Sequence, residues 1–271
     1  MRNLIRLSGM MLMLCLSALT AREPLDSPDC SPDNGLSVTI IYDNYQADER
    51  LDTDWGFAAL VEYDSHKMLF DAGRKSDLYQ KNMAILGIDP SEIPTLFISH
   101  EHGDHTAGIP WILECNPSVN CYLPSTYAAQ LESRKELPVH AHGIGKPIHL
   151  YGPFYSTGDD FRAFHEQGLV VKTGQGGLLL TGCGHPGVVE MVKVAEEDLG
   201  IRIHTVIGGL HLLRTGDKQL GEICDALKKM GVRKICPTHC TGDHAIAYIK
   251  RSFSEGYIPG GTGREIIIQP D

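Results

Sequence analysis

The sequence predicts an α/β fold of two sheets, each covered on its outer side by helices. Three observations carry this reading. From Leu36 onward, short β-branched runs alternate with longer amphipathic ones. Strand-like runs occur in both halves of the chain, with helical patterns between them. No internal repeat, low-complexity tract or charge block divides the sequence, so residues 36–271 read as one domain. The chain has 271 residues, 42% hydrophobic and 21% charged, enough apolar side chains for a real core and enough charge to keep its surface wet.

In chain order, residues 37–42, 57–63 and 67–70 are rich in β-branched, aromatic and aliphatic side chains and suit strands joined by turns. Ser76–Leu86 carries helical spacing and stops at Gly87. A short apolar strand is predicted at 95–99, another at 119–123, and a helix at 125–133. Residues 138–158 are rich in Gly, Pro and His and read as irregular. In the second half, strands are expected at 169–172 and 178–181, with Gly174-Gln175-Gly176-Gly177 as their hairpin turn. A helix at 186–198 has Pro186 in its first turn, where the missing N–H costs nothing. A strand at 203–207, a helix at 220–230, a strand at 234–236, a helix at 245–253 and a strand at 265–268 complete the pattern.

The N-terminus reads as a targeting segment. Arg2 and Arg6 form a basic start, and residues 7–21 are apolar and uncharged, too short to span a bilayer comfortably. Residues 1–21 are therefore expected to be a signal peptide, 22–35 a polar linker, and the mature protein periplasmic or secreted, with no stable membrane insertion. With 24 Lys+Arg against 34 Asp+Glu, the net charge of −10 lacks the basic footprint that phosphate backbones demand, so no nucleic-acid partner is expected. Eight cysteines become seven on processing, an odd number that argues against a disulfide framework. Cys115 and Cys121 flank a turn-rich stretch that a local disulfide could close, whereas Cys183, Cys236 and Cys240 sit beside histidines and invite a metal reading.

The densest chemistry is His100, His102, Asp104 and His105, four possible ligands within six residues at the end of an apolar strand. A strand-to-helix corner there can offer two imidazoles to one metal and an aspartate with the third imidazole to a second. Further ligands must come from elsewhere. Three glycine- or proline-marked strand ends carry histidine: Gly182-Cys183-Gly184-His185, Gly208-Gly209-Leu210-His211 and Cys236-Pro237-Thr238-His239-Cys240. Four such ends in one chain argue for a common mouth at one edge of the sheets. His140 and His142 lack an acidic partner and read as loop residues, and Tyr151, Phe154 and Tyr155 as loop packing rather than a ring-binding pocket.

These blocks resemble the metallo-β-lactamase superfamily: the His-x-His-x-Asp-His quartet, the preceding Leu69-Phe70-Asp71-Ala72-Gly73, the strand-ending Gly-x-His and the final Pro-x-His. The resemblance implies an αββα sandwich with metals at one edge. Thr181-Gly182-Cys183-Gly184-His185, Gly208-Gly209-Leu210-His211 and Pro237-Thr238-His239-Cys240-Thr241-Gly242 look like the dihydropterin ribofuranosyl-aminobenzene phosphate synthase branch, with Gly184 and Leu210 in place of its usual Ser and Phe. Most of the superfamily places a bridging Asp after a strand-ending Gly, where this chain has Cys183. Either Cys183 replaces that ligand or His185 reaches round to supply it, with His185 preferred.

The expected metal residues are thus His100, His102, Asp104, His105, His185, His239 and Cys183, holding two divalent ions: zinc first, iron or manganese as alternatives. Two close cations acidify a shared water and stabilise charge on an attacked phosphoryl or acyl group. Asp104 is expected to take the proton, and His211 to act as a donor behind the ligands or as a contact to substrate phosphate. The expected function is a metal-dependent hydrolase of a small, anionic ester or phosphoryl substrate. A transferase of the synthase type and an exported, non-enzymatic metal or redox sensor are the alternatives; a di-iron centre with thiolate character would be coloured where zinc is colourless.

Overall fold

Along Leu36–Tyr42 (β1), Val38 and Ile40 turn to one side and Ile41 to the other, and each face meets a different core. The same alternation runs through Ala58–Tyr63 (β2) and His66–Phe70 (β3), the antiparallel neighbours of β1: Ala59, Val61, Met68 and Phe70 face inward, Leu60 and Leu69 outward. In the computed structural model, which describes residues 35–162 and 164–269, these strands belong to a seven-stranded sheet. It continues in parallel from β3 through Thr95–Phe97 (β4), Asn120–Pro124 (β5) and Ala141–Ile144 (β6). The last strand, Glu265–Ile268 (β13), pairs antiparallel with β1 at the other edge.

The second sheet has six strands. Ile148–Tyr151 (β7), Phe154–Ser156 (β8), Leu169–Thr173 (β9) and Gly176–Thr181 (β10) run as an antiparallel meander, and Ile203–Gly209 (β11) and Lys234–Thr238 (β12) extend it in parallel from β10. Between the sheets lies an apolar layer in which Val38, Phe57, Phe70, Phe97, Phe154, Val171 and Leu180 are wholly buried, with the Phe70 and Phe97 rings stacked at 5.6 Å. Each such side chain contributes about 1.5–3 kcal/mol relative to exposure. Helices Ser76–Leu86 (α1), Ile109–Cys115 (α3) and Ser125–Arg134 (α4) cover the outer face of the first sheet. Val188–Glu197 (α5), Asp217–Lys229 (α6) and Asp243–Phe253 (α7) cover the second. The result is the αββα sandwich, and Gly103–Thr106 (α2) is a single turn at its edge.

Several expectations need correction. Residues 138–158 hold three short strands, β6 to β8; their shortness and Gly/Pro content hide the pattern, and β6 and β7 lie at sheet edges, where one side is free to be polar. Helix α3 escaped notice because it is seven residues long with Pro110 in its first turn. Cys115 and Cys121 are free thiols, Cys121 being buried in the outer core of the first sheet. Cys236 is not at the metal mouth: it lies in β12 with its side chain between the sheets, where burial pushes its thiol up. Phe154 packs in that same layer and Tyr151 donates to Thr95 Oγ1 at 2.8 Å, so these aromatics serve packing. The expected signal peptide, and all but the last residue of the expected linker, lie outside the described residues. Among the described residues no helix is long and apolar enough to cross a membrane.

Candidate metal centre

Parallel strands bring the candidate residues together, because each carries its next residues out at the same edge. β3 delivers Asp71, β4 delivers Ser99 and His100, β10 delivers Cys183 and His185, β11 delivers His211, and β12 delivers His239. Asp71, His211 and His239 have positive φ of 56°, 53° and 48°, an uncommon conformation for side-chain-bearing residues and one that concentrates at functional sites. Close approach of β4 to β10 requires a glycine. A Cβ on Gly182 would run into Ser99 Oγ and lie 2.9 Å from Asp71 Oδ2.

The hydrogen bonds then orient the imidazoles. Ser99 Oγ donates to Asp71 Oδ2 at 2.7 Å, so at 2.9 Å it accepts from His100 Nδ1–H. His105 Nδ1–H donates to the same Asp71 oxygen at 2.7 Å, His185 Nδ1–H to Glu166 Oε2 at 2.7 Å, and His239 Nδ1–H to Asn44 Oδ1 at 2.9 Å. All four rings therefore present Nε2 as an unprotonated lone pair, the arrangement in which a partner behind a metal-binding imidazole fixes its tautomer. His239 Nε2 is buried without a hydrogen-bond partner, since Asp104 Oδ2 at 3.6 Å is too distant. Leaving such an atom unsatisfied costs about 1–3 kcal/mol, which a cation there would relieve.

The ligand atoms fall into groups that share one thiol. His100, Cys183 and His185 have theirs within 4.8 Å of one another, as do His105, Cys183 and His239. Exposed His102 joins the first group, its Nδ1 lying 3.1 Å from His100 Nε2; Asp104 joins the second, 3.7 Å from His105 Nε2. The quartet thus divides as His100 with His102 and Asp104 with His105. Cys183 Sγ lies 3.4 Å from His105 Nε2, so Cys183 and His185 both lie at the cluster. A third group, Cys183, His211 and Cys240, adjoins them: the His211 ring is 4.4 Å from that of His185, and the Cys240 thiol donates to the Cys183 carbonyl.

Electrostatics suit this donor set to cations. Burial, reinforced by neighbouring imidazoles, drives His100 well below its ordinary value and His105 down to about 3, so both stay neutral and able to ligate. For Asp104 burial pulls upward, but His239 and His105 outweigh it and hold the carboxylate ionised. His211 is raised by its contact with Cys240. Burial pushes Asp71 upward against the Ser99 donors, although three donors converging on its oxygens favour the ionised form. The residues fit divalent metal ions: imidazoles, one carboxylate and a thiol, with an orphaned lone pair among them.

Glu166, Asn44 and Ser99 escaped the sequence reading, and Asp71 carried no role in it. Glu166 is wholly buried; its carboxylate accepts from the backbone N–H of Cys183 at 2.9 Å, Gly184 at 2.7 Å and His185 at 2.9 Å, besides the His185 ring. Burial alone would raise it, but His100 and His185 hold it below the usual carboxylate range. No local signal marks it, since it precedes its partners by 17 to 19 residues in an irregular segment. Histidines 140 and 142 are away from this cluster, and His142 stacks on Tyr122.

A family comparison matches residues 56–239 to the metallo-beta-lactamase superfamily, and the chain belongs to that superfamily, whose members generally bind divalent metals, usually zinc. It is similar to 7,8-dihydropterin-6-methyl-4-(beta-D-ribofuranosyl)-aminobenzene-5'-phosphate synthase of Methanocaldococcus jannaschii, 28% identical over 74% of this chain and 86% of that one. A shorter match to ribonuclease Z of Methanococcus maripaludis is 33% identical over 97 residues, 34% of this chain and 30% of that protein. Among solved structures, a metal-dependent hydrolase of the beta-lactamase superfamily superposes with a TM-score of 0.72 at 24% identity, over 87% of this chain and all of that one. That likeness establishes the fold.

Proposed function

We propose that the chain is a metal-dependent hydrolase of small anionic esters or phosphoryl compounds, exported from the cytoplasm and holding two divalent ions. The observation that carries this is Cys183, whose one thiol belongs to both ligand groups. His100, His102 and His185 would hold one ion, Asp104, His105 and His239 the other, with Cys183 reaching both. Zinc is placed first because a thiol joins the imidazoles. When bound, a pair of close divalent ions acidifies water and stabilises negative charge growing on an attacked phosphoryl or acyl group. Asp104, half-buried and held ionised, accepts the proton of the attacking water. His211, exposed at the rim and raised by Cys240, donates to the departing oxygen or a substrate phosphate. Asp71, Glu166 and Asn44 keep the imidazoles aimed.

Similarity to the pterin-branch synthase supports a second reading, a transferase using the same site. The basic-then-apolar N-terminus weighs against it, because pterin assembly belongs in the cytoplasm. The test is elemental analysis of reconstituted protein, followed by rates on a nitrophenyl phosphodiester, a lactone and a penicillin for wild type, Asp104→Ala and His239→Ala. About two ions per chain are expected, with a phosphodiester or lactone turned over faster than penicillin and a loss of at least about 1,000-fold in either folded variant. One ion in active protein, or full activity of His239→Ala, would overturn the binuclear hydrolase.

A further inference from the structure

The metal centre has aromatic walls on two sides, and they differ. On one side Phe164 stacks on His185 with ring centroids 4.2 Å apart and 26° between planes, and its ring also meets His100 and His102, so it is committed to holding imidazoles. On the other side Trp55, half-buried, tilts at 54° against His239 at 4.8 Å. Beyond Trp55 opens a groove of about 610 Å³ lined by Trp55, Arg74, Gly103, Asp104 and Ala107. The groove runs directly onto Asp104, the carboxylate shared between His105 and His239.

Arg74 is the cation of this groove, in a chain with ten more acidic than basic side chains. It is exposed, and among the described residues its guanidinium makes no ion pair or hydrogen bond. The neighbouring carboxylate, Asp54, is already engaged by Lys75 Nζ at 2.9 Å and by Tyr42. Arg74 acts on Asp54 only at longer range, and a guanidinium without a hydrogen bond or close ion pair can take a carboxylate or phosphate with two parallel N–H···O bonds, as an indole can take a planar ring by stacking.

We infer that the Trp55–Arg74 groove is the substrate-selecting subsite: it takes a planar aryl or heteroaromatic ring against Trp55 and an anionic group on Arg74, beside the bond presented to Asp104. This names the substrate class within the hydrolase reading, on which it rests: aromatic esters carrying an anionic group in addition to the bond cleaved. Gly103 and Ala107 suit that role, since small side chains leave the groove floor open.

Two measurements separate this inference from the reading beneath it. In the first, the substrates are 4-nitrophenyl phosphodiesters whose second alcohol ends in a carboxylate or in its neutral methyl ester. Wild type should prefer the anionic member. Arg74→Gln should reduce the ratio of the two kcat/KM values by about 10- to 100-fold, the worth of a charge-assisted contact, and Arg74→Lys should restore part of it. Trp55→Leu should cost both substrates about 2- to 10-fold. In the second, Trp111→Phe leaves Trp55 as the sole tryptophan, and its fluorescence is titrated with 4-nitrophenyl phosphate. Saturable quenching, weakened about 10-fold or more by Arg74→Gln, is expected. Turnover with a charge ratio unmoved by Arg74→Gln, or quenching indifferent to that change, overturns the subsite and leaves the hydrolase standing. Quenching that depends on Arg74 in a protein that hydrolyses neither ester upholds the subsite and removes the hydrolase.

Discussion

Glu166 illustrates how much of this site rests on a residue that touches no proposed substrate. Its carboxylate, wholly buried, collects three backbone N–H groups from the Cys183–Gly184–His185 turn and the His185 ring. Glu166→Gln would set an amide NH2 against at least one of those donors, so it is expected to cost about 2–4 kcal/mol of stability. Metal affinity should also fall about 10- to 100-fold, the usual cost of losing a partner behind a ligand. Thermal melts and competition with a chromogenic chelator measure the two effects, and a variant matching wild type in both would remove Glu166 from the site. His239 presents the complementary case. Its buried Nε2 has no hydrogen-bond partner while its Nδ1 is held by Asn44, an arrangement that a structural core histidine has no reason to keep.

At the scale of elements, the end of β10 is a tight seam between the two sheets. Gly182 follows the strand and lets Ser99, at the end of β4, come close enough to hold Asp71 and His100 together. Gly182→Ala is expected to lose about 1–3 kcal/mol by overpacking and to loosen His105 through Asp71. Gly174→Ala, in the β9–β10 turn where an added methyl meets nothing within 4 Å, should stay within about 0.5 kcal/mol of wild type. Denaturant unfolding of the pair distinguishes close approach from a general intolerance of the hairpin; equal losses would refute the seam. The parallel trio β10–β11–β12 explains why three separate histidine-bearing blocks converge. Their register aligns Thr181 with Gly208, and Gly209 with Thr238, so the following residues emerge level with one another.

Across the whole molecule, the proposed ligands come from both layers of the sandwich. His100, His102, Asp104 and His105 follow the seven-stranded sheet, and Cys183, His185 and His239 follow the six-stranded one. Metal ions held there would tie the two sheets together at one edge, adding to the apolar layer and to cross-sheet hydrogen bonds such as Tyr151 to Thr95 and Gln167 to the Ile98 carbonyl. Metal bound only by the folded chain stabilises it by mass action, about 2.7 kcal/mol at a hundredfold excess over Kd. For a domain of this size that corresponds to about 5–10 °C in Tm. Chelator treatment should therefore lower Tm by that amount and zinc should restore it, as calorimetry would read. An unchanged Tm in demonstrably metal-depleted protein would separate the site from the cohesion of the sheets.

The αββα architecture and the clustering of candidate ligands were legible in the sequence because their signals are local. Strand alternation, helix spacing, four ligands in six residues and glycine-marked strand ends are each complete within a short stretch of chain. Strands β6 to β8 were illegible for the converse reason: each has only three or four residues, and β6 and β7, at the sheet edges, carry exposed polar positions, so little periodicity survives. Cys236 and Cys240 looked equivalent beside His239, yet Cys236 lies within β12 and faces the inter-sheet core, whereas Cys240 lies past the strand's end and faces the mouth. Only the tertiary structure decided which lone pairs converge. The partners that aim them stand far off in the chain, Asp71 34 residues from His105, Glu166 19 from His185 and Asn44 195 from His239. Pairing of strands within each sheet sets Asp71 beside His105 and Glu166 beside His185, and the packing of the two sheets brings Asn44 to His239.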